Sequence, residues 1–394
     1  MKLEMLPGRK GDCMLIHFGP PDAPKLMLVD GGPAGVWDDD LSHRLRALQE
    51  ERAPGGKLLI DLLVISHVDD DHINGVIRLL QAIDEEDFPA EIDEIWHNSF
   101  DEVLGNDQTL GSGFNNGPLA SVAGEASTFA DDDDFETRDA AMVLASMAQG
   151  HRVQSLARKL RIPVNQSLGG GLIIADGDGL PIDLYGLSIK IDGPLRADVE
   201  ELQKEFDEWL RKRGPGAGTA SLLAALADKS AANLSSIVLS LEEDGKTLLL
   251  SGDARSDRML KGMGDGAHRY DIIKMPHHGS DRNVDEEFFE RAVADTYVFS
   301  GDGEHGNPER ATVTMLLDNR PPGRKPQLVF TYSIPEIDTE RKKEYEKTRR
   351  RAQRRGKDKP EWDPASMALE ALLKNRSAEL ETIVPGPGGY LPEL

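Results

Sequence analysis

A chain of 394 residues can form two average domains or one large α/β domain with insertions, and either bounds a sizeable core. The single cysteine, Cys13, excludes an internal disulfide and a cysteine-rich zinc finger, so a metal would have to be held by His, Asp and Glu. With 46 Lys and Arg against 70 Asp and Glu, the net charge of −24 repels polyanions in general, which makes nucleic acid a poor default partner.

The opening MKLEMLPGRKGDC lacks the apolar run of a signal peptide, and no later stretch approaches the roughly 20 apolar residues that cross a bilayer. A cytoplasmic protein with no membrane partner is expected. CMLIHFG, KLMLVDGG and LLIDLLVISH are short apolar runs bounded by Gly, Pro and Asp, the pattern of buried strands, with a polar helical stretch before the third. INGVIRLLQAI then carries apolar residues at helical spacing, which predicts a helix beginning at Asp71 and His72.

From about Leu104 to about Ala232 the pattern weakens into GSGFNNGP and the acidic run Asp131 to Asp134, mixed with the helical segments AAMVLASMA and VEELQKEFDEWLRKR. Residues 1–330 therefore read as one α/β domain interrupted by an insertion or lid at about 104–232. SSIVLSLEEDGKTLLLSGDA predicts two strands joined by the turn Asp244-Gly245, and DIIKMP and TYVFS predict two more. Residues 331–394 read as a C-terminal extension, with a basic run from Arg341 to Lys359 and a last helix over ASMALEALLKN.

The segment Ser66-His67-Val68-Asp69-Asp70-Asp71-His72 places four potential ligands, His67, Asp69, Asp71 and His72, at the end of an apolar strand. Imidazole mixed with carboxylate suits zinc, manganese or iron better than an oxygen-only calcium site. The bland alternative is a solvated acidic loop with two incidental histidines. Three further strand ends weigh against it. Ser251-Gly252-Asp253 closes LLLSGD and puts a carboxylate where it could bridge two metals. Lys274-Met275-Pro276-His277-His278-Gly279-Ser280 places adjacent histidines after DIIKM, and Tyr297 to Ser300 leads into Gly301-Asp302-Gly303-Glu304-His305-Gly306-Asn307-Pro308. Taken singly, Asp253 reads equally well as a turn residue, the histidine pair as structural, and Ser280 as a group bonding its own loop.

In this order the segments resemble the metallo-β-lactamase superfamily, and within it the ComEC-like hydrolase domain and its soluble bacterial relatives. The resemblance takes in Gly11-Asp12-Cys13, Asp30-Gly31-Gly32, the histidine motif, Asn233 with Ser235-Ser236, Ser251-Gly252-Asp253, His277-His278-Gly279-Ser280 and the Gly-Asn-Pro loop. It spans about two thirds of the chain, leaving the middle and the tail unmatched. The superfamily pattern HxHxDH reads HxDxDH here, with Asp69 at the second position as in the ComEC-like branch; that carboxylate makes manganese or magnesium more competitive with zinc.

The resemblance implies an αββα sandwich with the motif loops at one edge, and two divalent metal ions, zinc or manganese, activating a water. His67 and Asp69 would hold the first ion, with His97 of DEIWHNS as an open third ligand; Trp96 and Asn98 beside it read equally as packing or binding residues. Asp71 and His72 would hold the second, completed by His278 or by His305, because the branch's Gly-His-Pro loop is Gly306-Asn307-Pro308 here. Asp253 would bridge. Asp30 would support the histidine loop by hydrogen bonding without touching metal. Lys274 and His277 would clamp or protonate the leaving group, with a plain surface charge as the alternative for Lys274.

The implied reaction is phosphodiester hydrolysis, by a phosphodiesterase or nuclease. Arg341 to Lys359 holds eleven Lys or Arg against Glu344, Glu346 and Asp358, and reads either as a solvated helix or as an element holding nucleic acid or an acidic chain. A protein partner in a multi-component bacterial system is implied by resemblance alone. Two other readings stay open: a hydrolase of a small ester, thioester or lactam, with the 104–232 insertion as a lid, and an interaction protein with a degraded metal site.

Overall fold

The structure is a computed structural model that describes residues 1–99, 135–175, 179–201, 204 and 235–385, with side chains of the helix starting at Phe135 described from residue 148 onward. The expected features GSGFNNGP, Asp131 to Asp134, most of VEELQKEFDEWLRKR and Asn233 lie outside the described residues.

The first hundred residues supply β1 (Lys2–Met5), β2 (Met14–Phe18), β3 (Lys25–Val29), β4 (Leu58–Ile60), β5 (Leu62–Ile65), β6 (Ala90–Ile92) and β7 (Ile95–His97). A mixed five-stranded sheet runs β1-β2-β3-β5-β7, antiparallel across the first three strands and parallel from β3 to β7. Its strands are continuous apolar runs because both faces are covered. Leu15, Leu28, Leu63 and Ile65 face one way, Ile16, Met27, Val29 and Val64 the other.

The second sheet contains β8 (Ile182–Leu184), β9 (Leu187–Gly193), β10 (Val238–Glu243), β11 (Lys246–Leu250), β12 (His268–Lys274), β13 (Ala292–Phe299), β14 (Gln327–Phe330) and β15 (Glu381–Ile383). Its spatial order is the chain order, antiparallel from β8 to β11 and parallel from β11 to β15. Asp244 and Gly245 make the expected tight turn between β10 and β11, both with positive φ, 52° and 74°.

One apolar cluster joins the inner faces of the two sheets, with Met27, Val64 and Trp96 from the first against Ile189, Leu239 and Val298 from the second. The outer face of the first sheet is covered by α1 (Ser42–Arg52), α2 (Asp70–Asp84) and α3 (Phe135–Leu160), through residues such as Leu45, Val76 and Val153. The outer face of the second carries α4 (Ser256–Met263), α5 (Glu286–Arg291), α6 (Arg310–Asn319), α7 (Ile334–Arg354), α8 (Pro364–Met367) and α9 (Leu369–Asn375), anchored by residues such as Met259, Phe288, Val313, Ile337 and Leu372. The protein is thus mixed α/β, two packed sheets with helices outside. Parallel strands end on one edge, so the loops after β3, β5 and β7 and those after β11, β12 and β13 emerge together. Among the described residues no helix is long and apolar enough to cross a membrane.

The structure adds detail to four sequence expectations. LLIDLLVISH is two strands, not one: Asp61 accepts from the Lys25 ammonium and the Leu26 N–H, both 2.8 Å, which splits off β4 to pair with β6 in a separate ribbon. The stretch 104–232 is not simply an insertion. It contains β8 and β9, which continue the second sheet, and α3, which packs on α2. In the expected C-terminal extension 331–394, the described residues 331–385 are likewise part of the framework, because β15 closes the sheet edge and Leu369, Leu373 and Leu380 enter its core. The last helix breaks at Ala368, where Asp338 accepts from the N–H groups of Leu369 (2.8 Å) and Glu370 (2.9 Å) and caps α9 from outside.

Candidate metal centre

Beyond β5 the chain turns through Ser66, whose N–H and hydroxyl both donate to Asp30 at the end of β3, at 2.7 and 2.6 Å. His72 shares the same carboxylate, its Nδ1 2.8 Å from Asp30 Oδ2. The loop sits on α2 so closely that a Cβ on Gly31 would lie 2.4 Å from the Val76 nitrogen, a space only glycine tolerates. Asp71 and His72 therefore leave the first helical turn in fixed directions. The helix N-terminus also favours the Asp71 anion.

Asp253, just beyond β11, is the meeting point. The Nε2 atoms of His67, His72, His277 and His278 lie 3.6, 3.4, 3.6 and 3.8 Å from its carboxylate oxygens. These spacings are too long for hydrogen bonds. They match two donors sharing one ion, since ligands about 2.1 Å from a tetrahedral ion stand roughly 3.4 Å apart. Each ring is held by its other nitrogen. His67 Nδ1 is 3.0 Å from Ser66 Oγ, His277 Nδ1 is 2.9 Å from Asn283 Oδ1, and His278 Nδ1 is 3.1 Å from Asp12 Oδ1 and 3.0 Å from Ser300 Oγ. The Nε2 atoms of His67, His72 and His278 and Asp253 Oδ1 are buried without a hydrogen-bond partner. Asp12, His72, Asp253 and His278 form a buried group whose ligand atoms lie within 4.8 Å of one another, so that a metal ion could be held there.

The electrostatics ask for positive charge. Burial, then the neighbouring His72, pushes the His67 pKa down to about 4, and burial alone does the same to His97. Burial would lower His72 as well, but Asp253 and Asp30 together raise it well above its ordinary value. Asp253 is buried yet stays ionised far below the usual carboxylate range, against that burial, because imidazoles surround it, His277 and His72 foremost. His67 and His97 are thus held neutral beside an ionised Asp253, as a divalent ion requires, whereas His72 would give up a proton on binding one.

The open side is lined by Asp69, Asp71 and His277, each partly exposed. Asp69 Oδ2 lies 3.7 Å from His67 Nε2, and Asp71 Oδ2 lies 3.7 Å from His278 Nε2. His97 is fully buried beside Ile65 in the strand register, and neither ring nitrogen has a hydrogen-bond partner. Its neighbours are structural: Asn98 exchanges hydrogen bonds with the Ile173 backbone at 2.8 Å, and Trp96 donates to Ser167. Ser280 bonds its own loop, accepting from the Arg282 N–H.

Two expected residues stand elsewhere. Lys274 is neither a surface charge nor a group within reach of solvent: it is fully buried and its ammonium is ion-paired to Asp12. His305 is not part of the buried donor group: its side chain is 42% exposed with Nε2 3.8 Å from Glu304, although the charge of Asp71 still acts on it. Position 307 bonds the His277 carbonyl through Asn307 Nδ2 at 3.1 Å. Sequence reasoning missed Asp12, Ser300 and Asn283 as site residues. Asp12 is 266 positions from His278, and only its Gly11-Asp12-Cys13 context marked it.

No family model matches the chain. A segment is similar to microtubule-associated protein 1A of Rattus norvegicus, 29% identical over 143 residues, which covers 34% of this chain. The chain spans 5% of that relative's length, and a match of this extent assigns no family.

Proposed function

We propose that the chain is a metal-dependent hydrolase of the metallo-β-lactamase type, acting on phosphodiester bonds with two divalent ions at the Asp253 cluster. The observation that carries this reading is the set of four imidazole Nε2 atoms directed at Asp253 at non-hydrogen-bonding distances, with those of His67, His72 and His278 unpartnered. A buried polar atom left unpaired costs about 1–3 kcal/mol, so several of them together point to a missing partner. Two packed mixed sheets with outer helices, and loops gathered at one edge, fit an αββα sandwich of that superfamily.

His67, Asp69 and His97 would hold one ion, Asp71, His72 and His278 the other, and Asp253 would lie between them. With the histidines neutral, the carboxylates of Asp12, Asp30, Asp69, Asp71 and Asp253 against the ammonium of Lys274 leave a negative excess that two divalent ions balance. Such ions would supply a nucleophilic water at neutral pH and charge to stabilise the phosphoryl transition state. His277, partly exposed and anchored by Asn283, would hold or pass a proton at Nε2. Asp30 and Ser66 keep His72 and His67 oriented.

A polynucleotide is the substrate form that α7 favours. Its first turns pack on the loop after β13, with Arg341 Nε donating to Gly306 O at 3.2 Å, and the exposed Arg350, Arg354, Arg355 and Lys357 extend the basic face from there. The test is metal analysis of protein purified without added metal, then hydrolysis of bis(p-nitrophenyl) phosphate with manganese and with zinc. Near two equivalents of metal and metal-dependent cleavage are expected. Absence of both, or Asp71-dependent cleavage of a thioester or lactone alone, would overturn the phosphodiester reading.

A further inference from the structure

Asp12 and Lys274 come from opposite halves of the chain and form an ion pair with both side chains fully buried. Such a pair gains little stability over apolar residues of the same size, so its presence calls for another role. Asp12 is also held from behind. Its N–H donates to the Asp71 carbonyl at 3.3 Å, and Gly11 approaches so closely that a Cβ there would lie 1.7 Å from the same oxygen. The Gly11-Asp12 strap therefore touches Asp71 through its backbone and His278 through its side chain.

We infer that the Asp12–Lys274 pair is a positioning device for the second metal position alone: Asp12 Oδ1 fixes His278 as the Nδ1-protonated tautomer, and Lys274 holds Asp12 in place. The inference rests on the two-metal reading above. Asp12 Oδ1 lies 3.1 Å from His278 Nδ1, which leaves the Nε2 lone pair facing Asp71 Oδ2 at 3.7 Å and Asp253 Oδ1 at 3.8 Å. Its other oxygen meets the Lys274 ammonium, so Asp12 is occupied on both sides and acts through His278. Asp30 stands in the same relation to His72. Each of these two histidines thus has its own buried carboxylate, the arrangement that fixes the tautomer of metal-binding imidazoles. Lys274 thereby serves neither as acid nor as phosphate clamp.

The test is zinc titration of the full chain, stripped of metal, comparing wild type with two charge-balanced pairs, Asp12→Ala with Lys274→Met and Asp12→Asn with Lys274→Met. Two binding steps are expected in wild type. The alanine pair should weaken the second step by about 10- to 100-fold and leave the first unchanged. The asparagine pair, whose side-chain oxygen still accepts from His278 Nδ1, should recover most of that loss. Equal loss in both pairs would mean that Asp12 ligates the ion directly or merely fills space, and overturns the inference; so does equal weakening of both steps. Wild type that binds no zinc or one ion overturns the two-metal reading itself, which separates the two failures. If neither pair folds, ring-nitrogen NMR of histidine-labelled wild type decides: His278 protonated at Nδ1 supports the inference, and protonated at Nε2 in the metal-free protein overturns it.

Discussion

The Asp253 cluster and α7 are both dense in titratable residues, yet they treat charge in opposite ways. In the cluster, His67, His72, His97 and His278 are buried with ring nitrogens that have no hydrogen-bond partner. In α7, charges are answered locally: Lys343 by Glu340, Lys347 by Glu344, and Arg341 by Asp338 at 2.7 Å. The exposed lysine pairs are worth roughly 0–1 kcal/mol and little is lost if one breaks, whereas Arg341 is buried and is matched by Asp338 all the same. Unpartnered buried groups are costly and persist only where something offsets them. Local charge density therefore says less about chemistry than the absence of partners under burial.

The sharpest way to break this comparison is to remove one ligand. Asp71→Ala or His72→Ala should lower hydrolysis of bis(p-nitrophenyl) phosphate by at least about 100-fold, because either change takes away metal, activated water and transition-state charge together. The double variant should be no worse than either single one. Circular dichroism should show the fold retained; near-normal activity in either variant would remove the cluster from the reaction.

Next in size is the effect of metal on stability. Zinc or manganese at about 100 times its Kd should stabilise the fold by about 2.7 kcal/mol, a rise in Tm on the order of 5 °C that chelation reverses. The rise should vanish in Asp253→Ala. If metal leaves the Tm unchanged, the unpartnered nitrogens have another explanation.

A third, smaller effect belongs to the helix. Neutralising Arg349, Arg350 and Arg351 should leave cleavage of the small phosphodiester unchanged and weaken cleavage of single-stranded DNA, with the difference shrinking as salt rises, since counterion release scales with the phosphates contacted. Arg349 already bonds the Lys359 carbonyl at 2.9 Å and meets Glu361 at 3.3 Å, so its share of the effect should be smaller than that of the exposed Arg350. Equal loss on both substrates would tie α7 to the chemistry after all.

Much of this was legible in the chain because the strands are short apolar runs and ligand-type residues follow them directly. His67, His72, Asp253, His277 and His278 all lie within a few residues of a strand end, and parallel strands bring such ends to one edge. What local pattern does not encode is which side chains stay in water. Lys274 follows an apolar run like any surface lysine would, and only Asp12, met across the fold, explains its burial. His305 sits in a Gly-rich loop of ligand-like composition, yet its side chain is 42% exposed and meets Glu304. The stretch 104–232 read as an insertion because β8 and β9 are separated from β10 by a long weakly patterned segment, while sheet membership depends on pairing at a distance.

Glu309 gives the smallest and most local test, because it lies between the two regions. Its N–H donates to the Gly279 carbonyl beside the histidine pair, and its carboxylate acts on Arg341 of α7. Burial, then the hydrogen bond and charge of Asp281, hold its carboxyl up at about 7, with Arg282 opposing weakly. A carboxyl whose folded pKa exceeds its unfolded value of 4.5 contributes stability that is fully present below that value and lost as pH rises through the folded one. Between pH 5 and 8 the Tm of the wild type should therefore fall relative to that of Glu309→Gln, whose amide keeps the shape without the titration. The gap should close again below about pH 4.5, where both side chains are neutral in either state. Parallel Tm curves across that range would mean that burial and Asp281 do not raise the Glu309 carboxyl at the seam between the Asp253 cluster and the basic helix.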